Sequence, residues 1–425
     1  MTVDRREATS LLPGIHERAG ARFREGEASP AWPRHYGDPS AEYRAAVDSC
    51  AVVDRTHRNR WKIGGRDPAR MLNGIVTNTI PEHPAPVQNE GIGDGESADG
   101  DSPGTLYRGL APYGVTLTAK GKMISDHRLL RMAGPDADAF LLDIPAAGIA
   151  GMQAHFDRFL PPRFAEVEDV SASTGMLTVV GPGAADALAY ALDLGGEAFD
   201  LAELLEQSEE GEYFLLPRSG PESGADTPEG RIRVLRSGDL GSHESNAPPA
   251  FDVMASRGTL VSLWDRLAGA ECRPMGRAAW ETLRVEGGRP AFGADMDENT
   301  IPVEAGVHDR AIDYQKGCYT GQEVIVRIRD LGRVNRHLRR LLLGDGPVPA
   351  RGTELFRADG GREVGRVTSA VDSPRFGRVI GLGYVRREVG MPGEVRLGSA
   401  EGPLIEVRPL PTESAESGED GAAPG

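Results

Sequence analysis

Stretches in which apolar residues recur at every second position alternate along the chain with stretches in which they recur at helical spacing. Tyr43-Arg44-Ala45-Ala46-Val47 followed by Arg60-Trp61-Lys62-Ile63 predicts a helix leading into a strand. Asp67-Pro68-Ala69-Arg70-Met71-Leu72 then predicts a helix start, because the acid accepts from free first-turn amides and the proline removes one that has no partner anyway. Residues 117–132 alternate as two strands around the turn Ala119-Lys120-Gly121-Lys122, closed by Ala133-Gly134-Pro135. Residues 140–159 read as strand then helix. The strand at 176–180, the break Gly181-Pro182-Gly183 and an Ala/Leu-rich run repeat that order, and 201–210 predicts a helix with one solvent-facing side. Beyond Arg340 the pattern changes to short β-rich runs separated by Gly and Pro, which predicts a small barrel.

Other stretches carry no burying pattern. Residues 1–34 are polar and capless and read as a mobile arm. From 82 to 105 the chain turns to Pro, Gly, Ser and acid, and such a segment buries too little apolar area to offset its ordering entropy, so it reads as a surface insertion. A further polar break falls at 219–229, and 411–425 reads as a disordered acidic tail. Between them stand a body over 35–337 and a barrel over 338–410, in keeping with two or three domains in 425 residues at about 150 per domain.

Composition narrows the classes. Hydrophobic residues make up 39 % of the chain alongside 55 glycines, a globular mixture. The net charge of -16 argues against coating nucleic acid or an anionic membrane, both of which need positive charge. Nine acids of the insertion and tail supply more than half of that charge, so the folded part is only mildly acidic. No stretch approaches the ~20 apolar residues of a spanning helix, and the first 25 residues mix Arg with Glu, unlike a secretory or transit signal. Cys50, Cys272 and Cys318 are widely separated, with no Cys-x-x-Cys and no paired His, which predicts a reducing, cytoplasmic setting and no self-contained metal site.

The most informative stretch is Lys316-Gly317-Cys318-Tyr319-Thr320-Gly321-Gln322-Glu323. Thr320 and Glu323 have capping-box spacing, which predicts a helix running to about Gly332 with Cys318 just ahead of its positive end and beside Lys316, a setting that favours the thiolate. Gly317 and Gly321 leave room for close approach. The same residues also allow Cys318 as a small buried hydrophobe and Val324-Ile325-Val326-Arg327-Ile328 as a strand.

This octapeptide resembles the signature of YgfZ proteins, bacterial relatives of a mitochondrial iron-sulfur assembly factor and of the glycine-cleavage T-protein. Ala119-Lys120-Gly121-Lys122-Met123 is similar to the same family's lysine-glycine-lysine turn. Leu283-Arg284-Val285-Glu286-Gly287-Gly288, Phe292-Gly293-Ala294-Asp295 and Pro302-Val303-Glu304-Ala305-Gly306 resemble the motif shared by T-proteins and YgfZ proteins. His35-Tyr36-Gly37, the run from Val52 to His57 and Gly74-Ile75-Val76-Thr77-Asn78 also conform, so the likeness covers roughly 35–410.

The resemblance implies an α+β fold: a T-protein-like folate-binding body of mixed sheets and helices, with a small C-terminal β-barrel, around a central cleft for tetrahydrofolate or a one-carbon derivative. It implies Cys318 and Asp126 as the residues carrying chemistry. Asp126 falls on the second aspartate of the T-protein turn, which in the aminomethyltransferase orients the folate nitrogens. Asn78, Lys120, Lys122, Arg284, Glu286, Lys316, Gly317, Tyr319 and Gln322 are the implied folate contacts, since a pterin edge suits a carboxylate and an anionic tail suits Arg or Lys. Glu286 reads equally as an ion-pair partner of Arg284, and Asn78 as a strand-end cap. The run Arg327, Arg329, Arg333, Arg336, Arg339 and Arg340 reads as a solvated or internally paired face, or as a receptor for the folate tail or an acidic partner. One departure stands out: where T-proteins have tyrosine and glutamate after arginine-x-glycine, this chain has Asp239 and Ser242. The implied function is a tetrahydrofolate-binding accessory protein for assembly or repair of iron-sulfur enzymes, including tRNA-modifying ones. Its partners would be those client enzymes or assembly proteins, with no direct nucleic acid and no membrane. The alternatives are a folate-dependent aminomethyltransferase with Asp126 as the orienting acid, and a scaffold that has lost folate.

Overall fold

Three β-layers organise the chain. In this computed structural model, residues 13–23, 32–87, 105–133, 136–193, 200–216, 231–241, 245–331 and 334–411 are described. One sheet has eight strands in the order Arg273–Pro274, Ala51–Asp54, Thr174–Val180, Ala250–Ser256, Arg233–Arg236, Glu212–Leu215, Tyr107–Leu110 and Ala85–Pro86, antiparallel except for the pair Ala51–Asp54 and Arg273–Pro274. A second, five-stranded sheet runs Tyr113–Leu117, Met123–Arg131, Phe140–Ile144, Asn59–Gly64 and Glu166–Asp169. The six strands between Arg336 and Arg408 close into a barrel. The architecture is thus α+β with a C-terminal barrel, as the resemblance implied.

Each helix covers a sheet face with the residues its spacing supplies. Leu188, Leu260 and Trp264 seal one face of the large sheet, while Met152 and Phe156 seal the small one. The other faces meet each other through Leu130, Leu141, Met176, Tyr213 and Met254. The barrel encloses its own core of Leu341, Leu355, Val367 and Val407 and joins the body through Val285, Leu338, Ile380 and Leu382. Asp67 accepts from the Arg70 amide at the start of the helix Pro68–Asn73, as its sequence predicts.

The segment after Cys318 is a helix, Gln322–Leu331, and not a strand. It lies on the turn of the hairpin Tyr113–Leu117 and Met123–Arg131. A Cβ at Gly121 would stand 2.9 Å from Val324, and one at Gly321 would stand 2.6 Å from the Thr118 carbonyl. Both glycines have positive φ, 71° and 87°, so two requirements converge on residues without a side chain. The two family-like motifs therefore pack on each other.

Three expectations need correction or fall outside the described residues. Part of the supposed mobile arm is packed: in the helix Pro13–Arg18, Ile15 and His16 are buried, and the His16 ring meets Asp54 at 2.7 Å and Tyr36 Oη at 2.9 Å. Most of the acidic insertion, the break at 219–229, Ser242, Arg333 and all of the tail beyond Pro411 lie outside the described residues. The third concerns sulfur. Cys50 and Cys272, read as unpaired thiols of a reducing compartment, form a disulfide across 222 residues, because the parallel pairing of Ala51 with Arg273 brings their chains side by side. No helix among the described residues is long and apolar enough to cross a membrane.

The disulfide gives the first test. Under native, non-reducing conditions one thiol, Cys318, should react with a thiol reagent. The double variant Cys50→Ser/Cys272→Ser should lose about 2–4 kcal/mol of stability in denaturant unfolding. Three reactive thiols in the unfolded, unreduced protein would contradict the bond.

Candidate active site

Strand register builds the site. The turn at Lys120-Gly121 pairs Val115 with Asp126 and Tyr113 with Arg128, so Tyr113, Asp126 and Arg128 face the same way on neighbouring strands. Reaching diagonally, the Tyr113 hydroxyl donates to Asp126 Oδ2 at 2.9 Å. Asp126 Oδ1 is buried with no hydrogen-bond partner. Burial raises the pKa of this carboxyl above the ordinary aspartate range, against the opposing pull of Arg58 and the Tyr113 hydrogen bond. The result is a carboxyl with a free oxygen and a weakened tendency to ionise.

Arginines and acids from distant parts of the chain surround it. Arg55 Nη1 meets Asp239 at 2.9 Å and lies 4.3 Å from the Trp280 ring centroid. Arg58 Nε meets Asp143 at 2.6 Å, and Asp252 accepts from the Thr178 hydroxyl at 2.6 Å. Burial works against ionisation of the half-buried Asp239, yet Arg55, Arg128, Arg58 and Arg310 together hold its carboxyl far below the usual range. Asp239 is thus a fixed anion, unlike Asp126. Arg310, on the short helix His308–Ala311, lies 3.8 Å from the Tyr113 ring centroid. Its guanidinium is bound by Glu210, which also takes Arg128 at 2.9 Å and Arg289 at 3.4 Å. Burial works against ionisation of Glu210, yet Arg310, Arg128 and Arg289 bring it down to about 2.

The residues implied by the sequence do not form one cluster. Cys318 is exposed in the loop beside Asn73 and Gly74, two residues from Thr320, whose amide donates to the Gly74 carbonyl at 3.0 Å. Lys316 Nζ donates to the carbonyls of Val76 and Asn78 at 2.8 and 2.7 Å, and burial lowers its pKa to about 8. Tyr319 packs in the core with Val115 and Ile325. Lys120 is exposed, Gln322 and Gly321 are half-buried, and Lys122 Nζ reaches Asn299 at 3.3 Å. Gly317 is exposed, and a Cβ there would stand 3.5 Å from Asn73 Nδ2. Arg284 is buried with Asp295 at 2.6 Å, Glu281 at 2.5 Å and Ser369 at 3.0 Å, so its donors serve the seam between body and barrel. Glu286 accepts from Tyr43 at 2.8 Å and from the Ser373 hydroxyl. Asn78 Nδ2 donates to the carbonyls of Tyr113 at 2.9 Å and Arg310 at 3.3 Å, a cap in form and a positioner of both residues in effect. In the basic run, Arg329 pairs with Asp330, Arg336 with Glu304, and Arg340 donates to the Glu286 carbonyl.

Sequence reasoning missed Tyr113, Glu210, Arg289 and Arg310. Tyr113 had a signal in the hairpin, since the turn fixes its register against Asp126. The other three are joined only by tertiary structure. Two open clefts lie elsewhere: one of about 640 Å³ beside Tyr43, Glu286 and Arg375, and one of about 350 Å³ beside Met71, Phe159 and Thr320. Neither is lined by Asp126 or Cys318.

Comparison with known proteins agrees with the class defined by the fold. Residues 336–411 match the glycine cleavage T-protein C-terminal barrel domain. Across nearly its whole length the chain is similar to curated proteins named aminomethyltransferase: 26 % identical to that of Corynebacterium jeikeium, covering 92 % of each chain, and 28 % identical to that of Rubrobacter xylanophilus, covering 93 % of this chain and 90 % of the relative. The solved structure of glycine cleavage system aminomethyltransferase T from Bartonella henselae superimposes with a TM-score of 0.72 at 20 % identity, over 96 % of this chain and 98 % of that one, a likeness of fold. Together these likenesses support the T-protein family. They overturn the expectation of an iron-sulfur accessory protein, because full-length relatives carry the name aminomethyltransferase and none of these likenesses points to iron-sulfur clients.

Asp126 also makes a stability prediction with a definite sign. A group whose folded pKa is raised contributes stability that is present below its unfolded pKa, about 3.9 for aspartate, and lost as pH rises through the folded value. Asp126→Asn, which cannot ionise, should therefore match the parent in melting temperature at acid pH and equal or exceed it at pH 7. A variant markedly less stable at pH 7 would show that Asp126 is a structural anion instead.

Proposed function

We propose that this chain is a folate-dependent aminomethyltransferase of the T-protein type, with Asp126 as the residue that orients the acceptor. The observation that carries this reading is the unpartnered Asp126 Oδ1, buried beside the Tyr113 hydroxyl at the position that the T-protein resemblance gives to the orienting acid. Leaving a buried oxygen unpaired costs about 1–3 kcal/mol, a cost that a ligand N–H recovers on binding. The relatives named aminomethyltransferase support the same conclusion.

Bound tetrahydrofolate supplies the nitrogens that accept the one-carbon unit. For its part the chain offers Asp126 Oδ1 as acceptor, or as donor when protonated, at an acidity set by burial. Tyr113 fixes the carboxyl, and Asn78 fixes Tyr113 through its carbonyl. Asp239 occupies the place where T-proteins have a tyrosine and pairs with Arg55, so the pterin is held here by Asp126 and not by that missing ring. Transfer of the methylene carbon from the carrier's S-aminomethyl group to the two folate nitrogens releases ammonia and the carrier's own thiol, with no net oxidation, and requires no thiol of this chain. The octapeptide's YgfZ-like character is on this reading a likeness of sequence, and Cys318 takes no part in the transfer.

The test is formation of methylene-tetrahydrofolate from an aminomethylated, lipoyl-bearing carrier protein and tetrahydrofolate. Asp126→Asn should lower kcat/KM by about 100-fold or more, the range of a positioned acid-base group, while Cys318→Ala stays near the parent. Saturable tetrahydrofolate binding with no product from the parent chain would defeat the transferase reading, and full activity in Asp126→Asn would defeat the role of that residue.

A further inference from the structure

The surroundings of Glu210 are unbalanced in charge. One carboxylate meets three guanidinium groups, those of Arg128, Arg289 and Arg310. Arg128 has a second acid, Asp239, only at 3.9 Å, and Asp239 lies closer to Arg55 at 2.9 Å. Arg289 has no anion nearer than Glu210 at 3.4 Å, its Nε is buried without a partner, and burial followed by repulsion from Arg310 lowers its pKa to about 10. Three guanidinium groups withdrawn together from water need a carboxylate among them, whether it comes from Glu210 or from a ligand.

Of the four groups Glu210 is the most open to solvent. The Glu210 side chain is 32 % exposed, against 17 % for Arg310, 10 % for Arg289 and 4 % for Arg128. Glu210 follows the short helix Leu201–Glu206 and precedes Gly211, whose φ is +89°. Its carboxyl lies where a Cβ at residue 238 would stand, 2.1 Å from that position, so Gly238 is what admits it. The acid thus reaches from the solvent side onto a pre-assembled set of arginines. That set leads directly to the acceptor, since Arg310 lies on the Tyr113 ring whose hydroxyl binds Asp126.

We propose that Arg128, Arg289 and Arg310 form a receptor for a ligand carboxylate, and that Glu210 is an internal carboxylate which occupies it until the ligand displaces it. The receptor lies beside the Asp126 site and so deepens the reading given above, on which its link to transfer rests. Arg310 offers a planar anion paired donors, Nε–H and Nη2–H, and Arg128 and Arg289 each add an Nη2–H. Two ligands bring such a group: the glutamate tail of a folate, and a small α-amino acid. Exchange of one carboxylate for another keeps the arginines paired throughout, so the binding free energy reflects the difference between the two anions. Glu210 therefore sets affinity and selectivity for charged over uncharged ligands.

Calorimetric titration of the full chain with tetrahydrofolate, tetrahydropterin, p-aminobenzoylglutamate and glycine tests this, with Glu210→Gln and Arg289→Gln beside the parent and thermal unfolding as a control for folding. Removing the internal competitor should tighten a carboxylate ligand by about tenfold, and removing Arg289 should weaken it by about tenfold, the effect of one hydrogen bond to a charged group. Tetrahydropterin, which has no carboxylate, should not respond to either change. Opposite shifts for tetrahydrofolate or p-aminobenzoylglutamate assign the receptor to the folate tail, and opposite shifts for glycine assign it to an amino acid. The receptor is overturned if no carboxylate ligand responds in opposite directions to the two variants, or if tetrahydropterin responds equally. Failure of tetrahydropterin to bind the parent counts against the pterin site at Asp126 alone, because p-aminobenzoylglutamate and glycine report on the arginines without it.

Discussion

Withdrawing a carboxyl group from water without giving it a full set of partners is the constraint on which this site depends. Asp126 has one oxygen held by Tyr113 and one oxygen held by nothing, and its burial weakens ionisation. Asp239, half-buried in the same network of charges, remains a firm anion because Arg55 and Arg128 are beside it. Two aspartates are thus driven to opposite behaviour by what stands next to them, which is how a protein separates an acid-base group from a structural counterion.

The scaffold exists to hold that difference. A tight hairpin sets Tyr113 against Asp126, and the helix Gln322–Leu331 fits against the hairpin turn only because Gly121 and Gly321 have no side chains. Asn78 then ties the Tyr113 and Arg310 carbonyls together. The residues of the octapeptide thereby serve the site at one remove: Lys316 locks the 76–78 backbone through two carbonyls, and Tyr319 packs under the hairpin. The motif that carries Cys318 on its exposed side also braces, through Lys316 and Tyr319, the backbone and hairpin beside Asp126.

What was legible in the sequence was whatever short-range pattern encodes. Alternation, caps and the Gly-rich turn marked the hairpin, the helix Pro68–Asn73 and the barrel, while Asp126 was singled out by the family resemblance and not by pattern. The bond between Cys50 and Cys272 was not legible, since 222 residues separate the two and only the parallel strand pair brings them together. The same holds for Glu210, which meets Arg128 and Arg310 across 82 and 100 residues. Arg284 and Glu286, implied as folate contacts by the resemblance, also bond to the barrel through Ser369 and Ser373, a role that only the docking of the barrel makes visible. The arm failed as a reading because polarity alone hid His16, whose partner Asp54 is buried with it.

The most direct test is a crystal structure of the chain with tetrahydrofolate bound. The account predicts the reduced pterin beside Tyr113, with Asp126 Oδ1 within hydrogen-bond distance of a ligand nitrogen. Density for the ligand in the larger cleft beside Tyr43 and Glu286, with Asp126 Oδ1 still unpartnered, would contradict it.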